Sequence, residues 1–195
     1  RFNRLIFFFH GHEILMIHEV YPNPYNYVKK TAKVRILLQN YYDRLKFLVW
    51  NKYYKAVAYK SDYIFVSNWL WKEFQKYVGL SSKDLFDHIH IIHNSVGAVF
   101  EENTYRFQDE KKYDFITIRS NMDDSKYGID LVNELAVKYS EYQFLIIGRG
   151  KFYEIYSVPE NVTWINKFLT HKEIMHYIDQ SRCGILLTRE DTQGV

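Results

Sequence analysis

The sequence predicts an α/β protein built on parallel sheets and divided into two units. Three observations predict it. Short, nearly continuous apolar runs of strand length alternate with longer stretches of helical periodicity, the pattern of parallel strands covered on both faces by helices. A polar, charged stretch at residues 101–112 interrupts that alternation. The charge balance changes across it: residues 1–105 carry 14 Lys/Arg against 9 Asp/Glu, and residues 106–195 carry 12 against 14. The domains are therefore placed at residues 1–105 and 106–195.

Taken in order, strands are expected at Leu5–Phe9, 63–66, 90–92, 114–118, 143–147 and 183–187, each apolar and bounded by polar or turn-forming residues. Helices are expected over 28–59, 68–77, 128–139 and 172–179. In the third of these, Ile129, Leu131, Val132, Leu135 and Ala136 recur at three- and four-residue spacing and define one apolar face. Ser67 and Thr170 stand where N-caps belong. Glu173, three residues after Thr170, completes a capping box.

Composition narrows the class. With 195 residues and 47% hydrophobic residues, the chain can bury a real core and is not a disordered segment. It has no run of some 18 uncharged apolar residues that would make a membrane span. The single cysteine, Cys183, excludes a disulfide framework and suits a reducing compartment. The chain begins at Arg1 beside an apolar run too short for a signal peptide, and it stops at Val195 inside what looks like a motif. It is read as a fragment, incomplete at both ends.

Charge is concentrated in one place. Lys29–Lys60 holds nine basic residues and one acid, Asp43, with Tyr41, Tyr42, Phe47, Trp50, Tyr53, Tyr54 and Tyr59 interleaved. That mixture fits a helix lying on an anionic bilayer or, less well, a nucleic-acid surface. It also fits a solvated helix whose cationic stems cover an aromatic core. No nucleic-acid partner is expected.

Five stretches are candidates for chemical content. Phe7-Phe8-Phe9-His10-Gly11-His12-Glu13 sets polar groups directly after an apolar strand, where open α/β sheets bind ligands. His10 there could bond a sugar hydroxyl or act as acid or base, and it could equally be a structural turn residue. No third metal ligand can be named, so no metal is assigned. Residues 88–97 contain His88, His90 and His93, but in a strand the first two share a face and the third points away. They read as a strand entering a turn at Asn94-Ser95. Residues 116–128 run strand, polar loop, helix, and bring Arg119 and Lys126 toward a helix N-terminus. Two cations with that dipole suit a diphosphate, unless Asp123 and Asp124 pair them. Gly148-Arg149-Gly150 reads as a tight strand-end turn. Finally, Glu190 and Asp191 precede Thr192, Gln193, Gly194 and Val195, an acidic pair ahead of a helix start. They suit sugar hydroxyls, with capping the plainer alternative.

In this order, the stretches FFFHGHE, SDYIFVSNWL, HIHIIHNSVGAVF, FITIRSNMDDSKYGIDLVNELA, FLIIGRG, NVTWINKFLTHKEIMHYI and LLTREDTQGV resemble a family 4 glycosyltransferase of the GT-B fold. The resemblance runs over nearly the whole chain and is strongest over residues 88–195. Ser95 stands where the family's crossover usually has Gly, and the loop from Arg119 to Lys126 is two residues longer than usual.

The resemblance implies two Rossmann-like parallel-sheet lobes facing across a cleft. It implies transfer of a sugar from a nucleotide diphosphate sugar to an acceptor hydroxyl (a glycan, a lipid-linked acceptor or a small molecule). Anomeric configuration would be retained, with no cofactor and no obligatory metal. Arg119 and Lys126 would bind the donor diphosphate, and Asp191, with Glu190 the neighbouring candidate, would hold the donor sugar. Thr192, Gln193, Gly194 and Val195 would contact the donor through side chain and backbone, and His10 would contact the sugar from the first lobe. A cytoplasmic location with peripheral attachment to the inner membrane face follows from lipid-linked acceptors and Lys29–Lys60. Two rivals share the fold: a chain that binds sugar nucleotide or a partner without turnover, and a nucleotide-sugar epimerase.

Overall fold

The computed structural model describes residues 2–20, 23–28, 32–107 and 110–189. The chain forms two compact units. The first comprises residues 2–20 and 32–95, and the second residues 23–28, 96–107 and 110–189. Each has its own sheet, so the α/β class with two parallel sheets holds.

The first unit contains β1 (Leu5–Phe9), α1 (Ile17–Val20), α2 (Ala32–Val57), β2 (Ser61–Phe65), α3 (Asn68–Val78) and β3 (Ile89–Ile91). Its strands are parallel in the order β1-β2-β3, with Leu5 opposite Ser61 and Tyr63 opposite Ile89. Phe7, Phe9, Tyr63, Phe65, Ile89 and Ile91 alternate onto one face and meet Phe47 and Tyr54 of α2 and Leu70 and Phe74 of α3. Ring contacts tie the layer together, including Phe9 stacked on Phe65 at 4.8 Å. The expectation of helices on both faces fails here: Ile6 is 66% and Phe8 43% exposed on the opposite face. Both crossover helices pack on the same side, as consecutive right-handed crossovers in a 1-2-3 order require.

Local signals built these elements. Ser67 Oγ accepts from Leu70 N at 3.1 Å, and α3 ends at Gly79 with φ 73°, the left-handed conformation glycine adopts without strain. Asp43, the one acid of α2, is fully buried. It accepts from Lys46 Nζ at 2.9 Å, Gln39 Nε2 at 3.0 Å and Ile17 N at 3.4 Å, so a buried charge is fully partnered and fastens α1 to α2. The histidine run is equally structural. His88 Nδ1 lies 3.1 Å from Ser61 O, His90 Nε2 3.0 Å from Asp62 Oδ1, and His93 Nδ1 2.8 Å from Val66 O, each joining the β3 segment to β2.

The second unit contains α4 (Ala98–Glu102), β4 (Tyr113–Asn121), α5 (Ile129–Lys138), β5 (Phe144–Arg149), α6 (Phe152–Ile155), β6 (Val162–Ile165), α7 (His171–Asp179) and β7 (Ser181–Gly184). All four strands are parallel, in the order β6-β5-β4-β7. Here both faces are covered: Phe144 and Ile146 pack with Ile129, Val132 and Ala136 of α5, while Ile116, Leu145 and Ile147 pack with Tyr177 and Ile178 of α7. Thr170 and Glu173 form the expected capping box. The segment 96–105 belongs to this unit, with the Phe100 ring 5.1 Å from that of His171 and Tyr105 Oη donating to Ser181 O at 2.6 Å.

Two strands depart from expectation. β6 lies outside the expected strands, because Val162-Thr163-Trp164-Ile165 is only four residues long and is interrupted by the polar Thr163. The last strand pairs at Ser181–Gly184 rather than 183–187: Ser181 faces Tyr113 and Gly184 faces Ile116. Ile185 and Leu187 then pack beside the α5 core as a loop, held where Thr117 Oγ1 donates to Ile185 O at 2.6 Å. Among the described residues, no helix is long and apolar enough to cross a membrane.

Candidate functional site

The strand order of the second unit defines where a ligand belongs. The chain moves from β4 to β5 to β6 and then returns to place β7 on the other side of β4. The switch point therefore lies between β4 and β7, and ligands of open α/β sheets bind beyond the carboxyl ends of the strands at such a point. Two segments meet there, residues 119–128 after β4 and 185–189 after β7.

Arg119 sits where the pairing of β4 with β5 becomes irregular, between Ile118 and Asn121. Such irregularities re-aim side chains. Its Nη2 donates to Leu187 O at 3.4 Å, and its guanidinium lies 5.2 Å from the centre of the Tyr127 ring. Lys126 Nζ lies 4.8 Å from the same ring. The two cations singled out in the sequence are thus gathered around one aromatic ring, despite the longer loop between them. Asp124 Oδ2 is 3.8 Å from Lys126 Nζ, and Asp124 also accepts from Lys126 N, closing the turn. Asp123 does not pair with either cation. It accepts from Lys151 N at 2.9 and 3.1 Å and from Tyr27 Oη at 2.9 Å.

The helix α5 starts beside these cations. Gly128 precedes it with φ 60°, and a Cβ at that position would stand 2.9 Å from Leu187 O. Gly128 itself has no side chain to cap the helix, and one first-turn N–H is already taken, Asp130 N donating to Tyr25 Oη at 3.4 Å; the dipole of the helix start still lies beside the switch point. Arg189 closes the other side. Its backbone N donates to Lys126 O at 2.7 Å, its Nη1 to Ser125 O at 2.6 Å, and its guanidinium grips Asp130 through two bonds of 2.9 and 2.6 Å. Burial works to raise the Asp130 pKa, but bonds from Arg189 and Tyr25 overcome it and hold the carboxyl below its usual range. Arg189, Asp130 and Tyr25 were not foreseen as members of this region; the one sequence signal was the proximity of Arg189 to the acidic pair.

Tyr25 and Tyr27 come from residues 23–28, a segment far away in sequence. Their rings stack at 5.7 Å, Tyr25 Oη donates to Asp130 Oδ1 at 2.9 Å, and Ser125 Oγ donates to Asn23 O at 2.8 Å. Burial, then the neighbouring carboxylate, pushes both phenol pKa values up, so both remain neutral donors.

Gly148-Arg149-Gly150 differs from the expected turn. Gly148 and Arg149 lie within β5. A Cβ on Gly148 would fall 2.2 Å from Arg119 O, so this glycine is the condition for the irregular end of β4 to lie against β5. The N–H that follows the turn, Lys151 N, is taken by Asp123.

In the first unit, His10 follows β1 at the carboxyl end of the sheet and is exposed, its ring 4.5 Å from that of Phe8. Glu13 Oε1 accepts from the backbone N of His10 and from Gly11 N, the latter at 2.9 Å, and so closes the loop. Glu190, Asp191, Thr192, Gln193, Gly194 and Val195 lie outside the described residues. Among the described residues, no three His, Cys, Asp or Glu side chains come together as a metal site.

No protein-family model matches the chain, and no curated protein matches it. The site is therefore read from its own chemistry.

Proposed function

We propose that the second unit binds the diphosphate of a nucleotide sugar, and that the chain is part of a retaining, metal-independent glycosyltransferase of the GT-B type. One observation carries the reading: Arg119 and Lys126 share the Tyr127 ring at a topological switch point, next to the N-terminus of α5. Fixed cations and a helix dipole at that point would hold a diphosphate and stabilise the charge it gains as the sugar–phosphate bond breaks. In this reading Asp191 or Glu190 holds the donor sugar's hydroxyls, Thr192–Val195 contact the donor, and His10 is the first unit's candidate sugar contact. The acceptor would be a carbohydrate or lipid-linked hydroxyl.

The test uses the whole chain with a panel of nucleoside diphosphate sugars. Binding is measured by calorimetry and product by mass spectrometry, with and without acceptor. Transfer that requires an acceptor supports the reading. Conversion of the donor alone indicates an epimerase, and binding without product a non-catalytic chain. Nucleoside diphosphate affinity that is unchanged in Arg119→Ala and Lys126→Ala overturns the assignment of the site.

A further inference from the structure

The most unusual surface of the first unit is the outer face of α2. Phe47 and Tyr54 turn inward and are buried, and Trp50 packs against the same core, so these aromatics are not available to any partner. Lys46 is not available either, since its side chain is 9% exposed and its ammonium is committed to Asp43. The opposite face should be polar, yet Leu38, Tyr41, Tyr42, Leu45, Leu48 and Val49 stand there, each between 55% and 71% exposed. Their spacing of three and four residues puts them in one stripe, about 17 Å long at 1.5 Å per residue. Isolated exposed apolar residues need no explanation, but a continuous stripe of six does.

We propose that this face of α2 docks on an anionic lipid surface, with the stripe lying among the headgroups and acyl-chain roots. Charge selects that occupant. The helix has one acid, Asp43, which is buried and spent on Lys46, so no negative charge faces outward from α2. Arg44 and Lys52 are exposed beside the stripe and line an open groove of about 490 Å³ next to Leu48, together with Lys76 and one acid, Glu19, so the groove keeps an excess of positive charge. Lys55, also exposed, lies 3.4 Å from Asp84. A second copy of the chain would bring the same unbalanced cations against themselves. A nucleic acid would meet the cations but leave Leu38, Leu45, Leu48 and Val49 facing a polyanion that offers them nothing. An anionic bilayer satisfies both sets at once, with leucines and tyrosines at the interface and cations at the phosphates. The inference does not depend on the proposed sugar transfer.

The experiment is vesicle flotation of the whole chain, using phosphatidylcholine vesicles with and without phosphatidylglycerol at low and high salt. Binding to the anionic vesicles alone is expected, weakened by salt. The double variant Leu45→Glu/Leu48→Glu should weaken it by on the order of a hundredfold, because two apolar contacts are lost and two repelling charges are added. Val137→Glu, at an exposed position of α5, should change nothing, and circular dichroism of each variant checks the fold. Absence of binding to anionic vesicles at low salt overturns the proposal. So does equal binding to both vesicle types, or undiminished binding by the folded double variant. A dimer in sedimentation that the double variant dissociates also overturns it, by assigning the face to a second copy.

Discussion

The contact between Gly148 and Arg119 permits a sharp test. Replacing Gly148 by Ala places a methyl group 2.2 Å from Arg119 O and 3.0 Å from Met122 Cγ. Ordinary carbon–oxygen contact needs roughly 1 Å more than the first of these, and the obstacle is backbone, which cannot rotate away as a side chain could. Overpacking of a core costs about 1–3 kcal/mol, and a fixed carbonyl puts this substitution near 3 kcal/mol. The relief available is to push the irregular end of β4 off β5, and that moves Arg119 relative to Lys126. A displacement of about 1 Å at a binding group can cost a hundredfold in rate. Gly184→Ala supplies the control, since a Cβ there meets nothing within 4 Å. Urea unfolding gives the free energies, and hydrogen exchange on peptides from β4 and β5 localises the change. Gly148→Ala should lose about 3 kcal/mol and exchange faster at residues 116–121 and 145–149, while Gly184→Ala stays within about 0.5 kcal/mol. Equal stabilities for the two variants would refute the claim that this glycine is needed for close approach.

Other expectations follow from the same geometry. In the complete protein, Arg119→Ala and Lys126→Ala should each lower turnover by roughly two to three decades, measured at saturating donor, the scale of losing one charge-stabilising donor. Tyr127→Leu removes the ring both cations share and should weaken nucleoside diphosphate binding about fivefold by calorimetry, equivalent to about 1 kcal/mol. Thr170→Ala breaks the capping box of α7 and should cost about 1 kcal/mol in urea unfolding of the second unit. Asp62, bonded to Arg4 and His90, has its pKa lowered to about 2 from an ordinary 3.8. A depressed carboxyl stabilises the fold above its unfolded pKa and loses that contribution as pH falls through the folded value. The urea midpoint of the first unit should therefore drop between about pH 4 and pH 2, and Asp62→Asn should flatten that slope.

The parts of this protein legible in its sequence are those whose cause is local. Leu5–Phe9 is a strand because five apolar residues sit between polar flanks, and it pairs over that whole range. Ser67, Thr170 and Glu173 announce helix starts because a cap needs partners only two or three residues away. Arg119 and Lys126 could be tied to one helix start because a single loop joins them. What sequence spacing could not decide is which of several equivalent choices the rest of the chain would take up. Helix α2 has apolar residues nearly all round, so periodicity alone cannot choose between Phe47 and Tyr54 on one side and Leu45 and Val49 on the other. The β1-β2-β3 sheet chose, by offering Phe7, Phe9 and Tyr63 as partners to one side only. In the same way Gly148 reads as a turn glycine until Arg119 O stands against it, and Asp123 reads as a partner for cations until Lys151 N and Tyr27 claim it. The Gly148 and Asp123 outcomes depend on atoms brought together from 28 or more positions apart, and the choice of face on α2 on a sheet assembled from separate strands, which is information that only the packed chain carries.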